Sequence, residues 1–154
     1  MENNSLHKLG IDIGSTTVKI ALLDADDNIL FSDYERHFAN IQETLESLIR
    51  KAYDKTGDLS VCPMITGSGG LTLAKHLEVP FVQEVIAVST ALTHYAPQTD
   101  VAIELGGEDA KILFLGRHFD ARMNDSCAGG TGAFIDQMAG LLGVTPDEMN
   151  DLAL

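Results

Sequence analysis

Hydrophobic and polar positions follow two alternating periods along the chain. Leu9–Ile13, Val18–Asp24 and Asn28–Phe31 are short apolar runs punctuated by Gly14-Ser15 and Asp26-Asp27-Asn28. They predict three antiparallel strands in a meander. Ile41, Leu45, Leu48, Ile49 and Ala52 then recur at helical spacing, which predicts a helix over 39–56 ending near Gly57. Leu59–Thr66 is a further expected strand, followed by the turn Gly67-Ser68-Gly69-Gly70 and helices at Leu71–His76 and Val85–Tyr95. After Pro97 and the polar Gln98-Thr99-Asp100, strand-like runs resume at Val101–Leu105, Ala110–Leu115 and His118–Met123. A helix over 131–142 follows, with Phe134, Ile135, Met138 and Leu141 expected on one face.

The second half therefore begins to repeat the first. Two regions are expected, 1–96 and 97–154, the second incomplete. Thr145-Pro146-Asp147-Glu148 has the form of a capping box with Pro at the first helical position. It starts a helix only six residues before the last residue. That reads as a fragment cut inside the second unit, or as a short terminal turn.

The repetition is sharpest in one phrase. Residues 10–19 read GIDIGSTTVK and residues 102–111 read AIELGGEDAK. At a constant offset of 92 residues, Ile11, Gly14, Lys19 and Ile20 meet Ile103, Gly106, Lys111 and Ile112. Asp12 meets Glu104. A fixed offset of this kind suggests duplication. Each phrase predicts a strand, a glycine turn and a returning strand. Gly14, and likewise Gly106 and Gly107, allows φ > 0 and lets backbone N–H groups approach a ligand closely. Ser15, Thr16 and Thr17 add hydroxyl donors, and Lys19 a cation. Asp12 and Glu104 fall at strand ends, where an unpaired buried carboxylate is costly. A Mg²⁺ ion held through its waters would offset that cost. Two such hairpins could clamp a triphosphate from both sides. The alternative is that both are plain hairpin turns with their acids in solvent.

Composition narrows the partners. Asp and Glu number 23 against 10 Lys and Arg, for a net charge of −13, which argues against nucleic acid. The apolar runs are far below the ~20 residues that cross a bilayer, and MENNSLHK lacks the regions of a signal peptide. A cytoplasmic protein without a membrane partner is expected. The two cysteines, Cys62 and Cys127, are too few for a disulfide framework. Cys62 lies in an expected strand and reads as a core residue. Cys127 precedes Ala128-Gly129-Gly130-Thr131-Gly132 and a helix. A helix N-terminus favours thiolate, although a buried free cysteine before a glycine-rich cap fits the same pattern. The five histidines are scattered without metal-ligand spacing and read as solvated or structural; the methionines read as packing.

GIDIGSTTVKIALLD resembles the first phosphate motif of the actin, sugar kinase and Hsp70 superfamily. IELGGEDAKI resembles its second, in the variant found in ATPase activators of 2-hydroxyacyl-CoA dehydratases and ATPase subunits of benzoyl-CoA reductase. NDSCAGGTGAFIDQMA and ITGSGG are similar to further segments of that family. The resemblance implies an α/β fold of ribonuclease-H-like, actin-like ATPase type, with a mixed sheet, flanking helices and a duplicated subdomain only partly present. It also implies ATP or ADP and Mg²⁺ as ligands. Gly14, Ser15, Thr16, Thr17, Lys19, Gly106 and Gly107 would hold phosphates, and Asp12 would anchor Mg²⁺ through water. Glu104 or Glu108 would orient the attacking water. Cys127 matches one ligand of a [4Fe–4S] cluster shared between two subunits of a homodimer. The implied activity is ATP-driven low-potential electron transfer to an acyl-CoA dehydratase or reductase, with ferredoxin or flavodoxin as donor. Glu104 and Glu108 depart from the residues usual there, which points toward longer, multi-module relatives. The competing readings are a small-molecule (sugar or acid) kinase of the same superfamily and a non-enzymatic nucleotide-sensing module.

Overall fold

The computed structural model describes residues 6–116, 118–124 and 130–153. In it the first apolar runs form β1 (His7–Ile13), β2 (Thr17–Leu23) and β3 (Ile29–Arg36), followed by α1 (Ile41–Thr56). Then come β4 (Val61–Thr66), α2 (Gly70–Leu77) and α3 (Glu84–Tyr95). A second series, β5 (Val101–Leu105), β6 (Ala110–Phe114) and β7 (Asp120–Met123), leads to α4 (Gly132–Leu142) and α5 (Pro146–Leu152). The chain divides into two compact units, Met1–Ala87 and Val88–Leu154. Among the described residues no helix is long and apolar enough to cross a membrane.

The first unit is a mixed sheet of order β3-β2-β1-β4. β1 and β3 run antiparallel to β2, while β4 runs parallel to β1. A parallel neighbour needs a crossover, and α1 supplies it. The period-2 alternation buries Ile11 and Ile13 of β1 and Val18, Ile20 and Leu22 of β2. They pack with Phe31, Ile65 and Ala74 and with Leu45, Leu48 and Ala52 of α1. Gly57 ends α1 at φ 77°, where its N–H bonds the Tyr53 carbonyl.

β3 extends five residues beyond the expected Phe31, through the polar Ser32–Arg36. The polarity hides the strand because β3 is an edge. Lys51 on α1 reaches both Asp33 and Glu35, at 2.8 Å each. That pairing holds the Asp33 carboxyl below its usual range and pushes the Lys51 ammonium up to about 12.

Three expectations need correction. Cys62 is exposed rather than in the core, because β4 is an edge strand and Cys62 lies on the face opposite Ile65. Met64 and Met123 are likewise exposed. The α4 face is not sealed: Phe134 is 42% and Leu141 80% exposed, and Ala139 is the buried position.

In the second unit β5, β6 and β7 form an antiparallel sheet. Gly143 closes α4 at φ 69°, and α5 opens on a complete capping box between Thr145 and Glu148.

Leu48 is fully buried beneath the sheet, so Leu48→Ala should lower unfolding free energy by about 2–5 kcal/mol in urea titrations. Lys51→Met should lower the urea midpoint at neutral pH. The Asp33 pKa is depressed in the fold, so its pairing stabilises above pH 3.8 and is lost as pH falls below it. The gap between variant and wild type should therefore close on acidification; a gap constant to pH 2 would show that the pairing contributes nothing.

Candidate functional site

The repeated phrase folds into the same hairpin twice. In the first unit Ile11 pairs Ile20, Asp12 pairs Lys19 and Ile13 pairs Val18. In the second, Ile103 pairs Ile112, Glu104 pairs Lys111 and Leu105 pairs Ala110. The turns match as well. Gly14 N–H donates to the Thr17 carbonyl at 2.9 Å, and Gly106 N–H to the Asp109 carbonyl at 2.8 Å. Each hairpin thus places a carboxylate directly across from a lysine, two residues before a glycine turn.

In the first unit, Lys19 Nζ donates to Asp12 Oδ2 at 2.8 Å. Asp12 Oδ1 is buried and accepts nothing from the described residues, and neither does Thr66 Oγ1, whose residue pairs Asp12 across β1 and β4. The wall beside Oδ1 is Gly67. It has φ 96°, and a Cβ there would lie 2.2 Å from the Ile13 carbonyl oxygen and 2.6 Å from Asp12 Oδ1. Only glycine fits. Gly69 N–H donates to the same Ile13 carbonyl at 2.9 Å. The ITGSGG turn therefore packs against the strand end that carries Asp12. The N–H groups of Ser15 and Thr16 meet no acceptor among the described residues.

An unsatisfied carboxylate oxygen is expensive inside protein. Water, or a cation with its water shell, satisfies it. Among the described residues no three His, Cys, Asp or Glu side chains cluster as a cage. A single carboxylate suits Mg²⁺, which keeps most of its waters and takes further oxygens from phosphate.

In the second unit, Lys111 Nζ lies 3.5 Å from Glu104 Oε1, with the lysine side chain 11% exposed. Glu104 Oε2 is buried without a partner among the described residues. Glu108 is exposed at the turn tip. The turn itself is fastened to α4: Gly132 N–H donates to the Gly106 carbonyl at 2.8 Å and Ala133 N–H to the Gly107 carbonyl at 2.9 Å. Gly132 packs closely on this turn: a Cβ there would sit 3.3 Å from that Gly106 oxygen, a tight contact. Thr131 is fully buried, and its hydroxyl has no partner among the described residues.

Asp12, Gly14, Ser15, Thr16, Thr17 and Lys19 are thus gathered at one end of the first sheet. Glu104, Gly106, Gly107 and Glu108 share one hairpin of the second unit. Cys127 lies outside the described residues. Neither Thr66 nor His37 stands out in the residue pattern. His37 is buried behind the first turn, its Nε2 3.3 Å from the Gly14 carbonyl oxygen. Its place follows from strand register, which pairs Thr17 with Arg36 and so puts residue 37 beside residue 16.

Known proteins similar to this chain share its fold. The 2-hydroxyisocaproyl-CoA dehydratase activator of Clostridioides difficile is 31% identical over 97% of this chain and 57% of that protein. Among solved structures, (R)-2-hydroxyglutaryl-CoA dehydratase component A of Acidaminococcus fermentans superposes with a TM-score of 0.84 at 24% identity. The match covers 96% of this chain and 58% of that one. The activator of the 2-hydroxyisocaproyl-CoA dehydratase from Clostridium difficile, solved with bound ADPNP, gives 0.79 at 29% identity. Here the coverage is 93% and 55%. The chain thus has the actin-like ATPase fold and spans a little over half the length of these relatives. Residues 9–154 match the sequence profile of the BadF/BadG/BcrA/BcrD ATPase family, and the chain belongs to that family.

Proposed function

We propose that the full-length protein is an ATP-hydrolysing activator. It would couple nucleotide-driven domain motion to low-potential electron transfer onto a 2-hydroxyacyl-CoA dehydratase or a related acyl-CoA reductase. The observation that carries the ATPase part is the duplicated hairpin, with its bare turn N–H groups and half-satisfied carboxylates. Activators of acyl-CoA dehydratases among the relatives support the partner.

The chain's own residues have separable tasks. Ser15 and Thr16 donate N–H and hydroxyl hydrogen bonds to phosphate oxygens, as a backbone nest does. Thr17 adds a hydroxyl, and Gly106 and Gly107 let the second turn approach phosphate. Asp12 would hold Mg²⁺ through its waters, its carboxylate placed by the ion pair with Lys19. Glu104 orients the attacking water, since its Oε2 is a buried acceptor that meets no donor among the described residues. Glu108, exposed on the turn, is the lesser candidate. Phosphoryl transfer asks for this kind of positioning and charge compensation.

A [4Fe–4S] cluster shared across a homodimer, with Cys127 as one ligand, would supply the low-potential electron, and ferredoxin or flavodoxin would reload it. Domain closure on ATP is the switching mode that links the two activities.

In the full-length protein, Glu104→Gln should lower kcat for ATP hydrolysis by about 10²–10⁴-fold with KM nearly unchanged, and Glu108→Gln should have a much smaller effect. The reverse order would reassign the water-orienting role. Cys127→Ala should abolish the iron–sulfur absorbance of anaerobically purified protein yet leave ATP hydrolysis in place. Colourless wild-type protein under ample iron would defeat the electron-transfer reading. Hydrolysis that depends on an added hydroxyl acceptor would indicate a kinase.

A further inference from the structure

The two turns follow the same path but are braced differently. In a two-residue hairpin the opening residue's carbonyl commonly accepts the N–H three residues on. Neither turn shows that bond. In the second unit, the Gly106 and Gly107 carbonyls are held by the first N–H groups of α4. Among the described residues a single one takes that place at the first turn. His37 backbone N–H donates to the Thr16 carbonyl at 3.1 Å, and its ring Nε2 lies 3.3 Å from the Gly14 carbonyl oxygen.

The hydrogen-bond partners specify the tautomer. Ala39 N–H approaches His37 Nδ1 at 3.0 Å and can only donate. The Gly14 carbonyl can only accept. Both contacts are satisfied by one species, the neutral ring with its proton on Nε2. The loop is bent to make this possible: Phe38 and Ala39 stand at φ 43° and 67°, two consecutive non-glycine residues in the left-handed region. Such conformations are unfavourable for residues that carry a Cβ and persist where surrounding contacts impose them. Asn40 N–H closes the loop onto the His37 carbonyl at 2.6 Å.

In a trans peptide the C=O and the following N–H point in opposite directions. Drawing the Gly14 and Thr16 carbonyls toward His37 therefore turns the Ser15 and Thr17 N–H groups away from it. We propose that His37 is a positioning residue for nucleotide binding. It holds the Gly14–Thr17 turn with its N–H groups directed at phosphate, the role that the α4 N-terminus serves in the second unit. The inference rests on the reading of this turn as a phosphate-binding element.

Two variants of the full-length protein separate positioning from loop stability. His37→Asn retains an acceptor for Ala39 N–H, but its shorter amide cannot place a donor at the Nε2 position facing Gly14. His37→Gln can place an amide N–H near the Nε2 position but gives up the Ala39 acceptor. Affinity for ADPNP with Mg²⁺ is measured beside the melting temperature without nucleotide. His37→Asn should weaken ADPNP binding about five- to tenfold, the scale of one lost hydrogen bond, while melting close to wild type. His37→Gln should melt lower yet bind within about twofold of wild type. Affinity loss that follows melting temperature in both variants would overturn the proposal, as would unchanged affinity in both while Asp12→Asn abolishes binding. Wild-type protein that fails to bind ADPNP would instead overturn the phosphate-binding reading beneath it.

Discussion

A carboxylate set inside an apolar strand and answered by a lysine on the neighbouring strand organises the first unit. Asp12 sits between Ile11 and Ile13, both buried on the face below. Alternation along a strand sends its side chain to the opposite face, where Lys19 satisfies one oxygen. The other is enclosed by Gly67, the residue at which a side chain would collide with both Asp12 and the Ile13 carbonyl. The same strand end thus carries the hydrophobic core below, a charged group above and the glycine turn beyond. Moving the register by one residue would bury Asp12 among Leu48 and Ile65, so folding and placement of the carboxylate are one constraint.

The second hairpin repeats the arrangement with different chemistry. Glu104 is longer by one methylene, and Lys111 approaches it only to 3.5 Å while being much less exposed than Lys19. The first turn brings three hydroxyl side chains; the second brings Gly107, Glu108 and Asp109. Hydroxyls suit direct donation to phosphate, whereas acids near phosphate are compatible only with a cation or a water between them. A duplicated hairpin has thereby produced two unlike ends. The braces differ too, a histidine ring in one unit and a helix N-terminus in the other, although both act on the carbonyl of the glycine that opens the turn.

The strands, helices and turns were readable wherever apolar spacing or a glycine signalled them. Gly57, Gly143 and the Thr145 capping box ended or began helices as their residue types require. β3 was cut short because Asp33 and Glu35 look like loop residues until Lys51 of α1 is brought beside them. Cys62 was misplaced because an apolar strand does not reveal which of its faces is covered. His37 carried no signal at all. A buried imidazole with both nitrogens engaged resembles any other histidine in one dimension.

By itself the sequence determined the repeat, the alternation that buries Ile11, Ile13, Val18 and Ile20, the glycines at the turns and the acids two positions before them. These are local properties, decided by the two-residue period of a strand and by turn-forming residue types. The positive φ expected of Gly14, Gly106 and Gly107 is not used there, unlike at Gly57, Gly67 and Gly143. Tertiary structure decided which carboxylate oxygens are left without a donor, why Gly67 admits no side chain, and what grips the carbonyls of each turn. Those depend on groups far apart in the chain, Asp12 with Gly67 and Gly14 with His37, whose meeting is set by strand register and crossover rather than by any pattern in neighbouring residues.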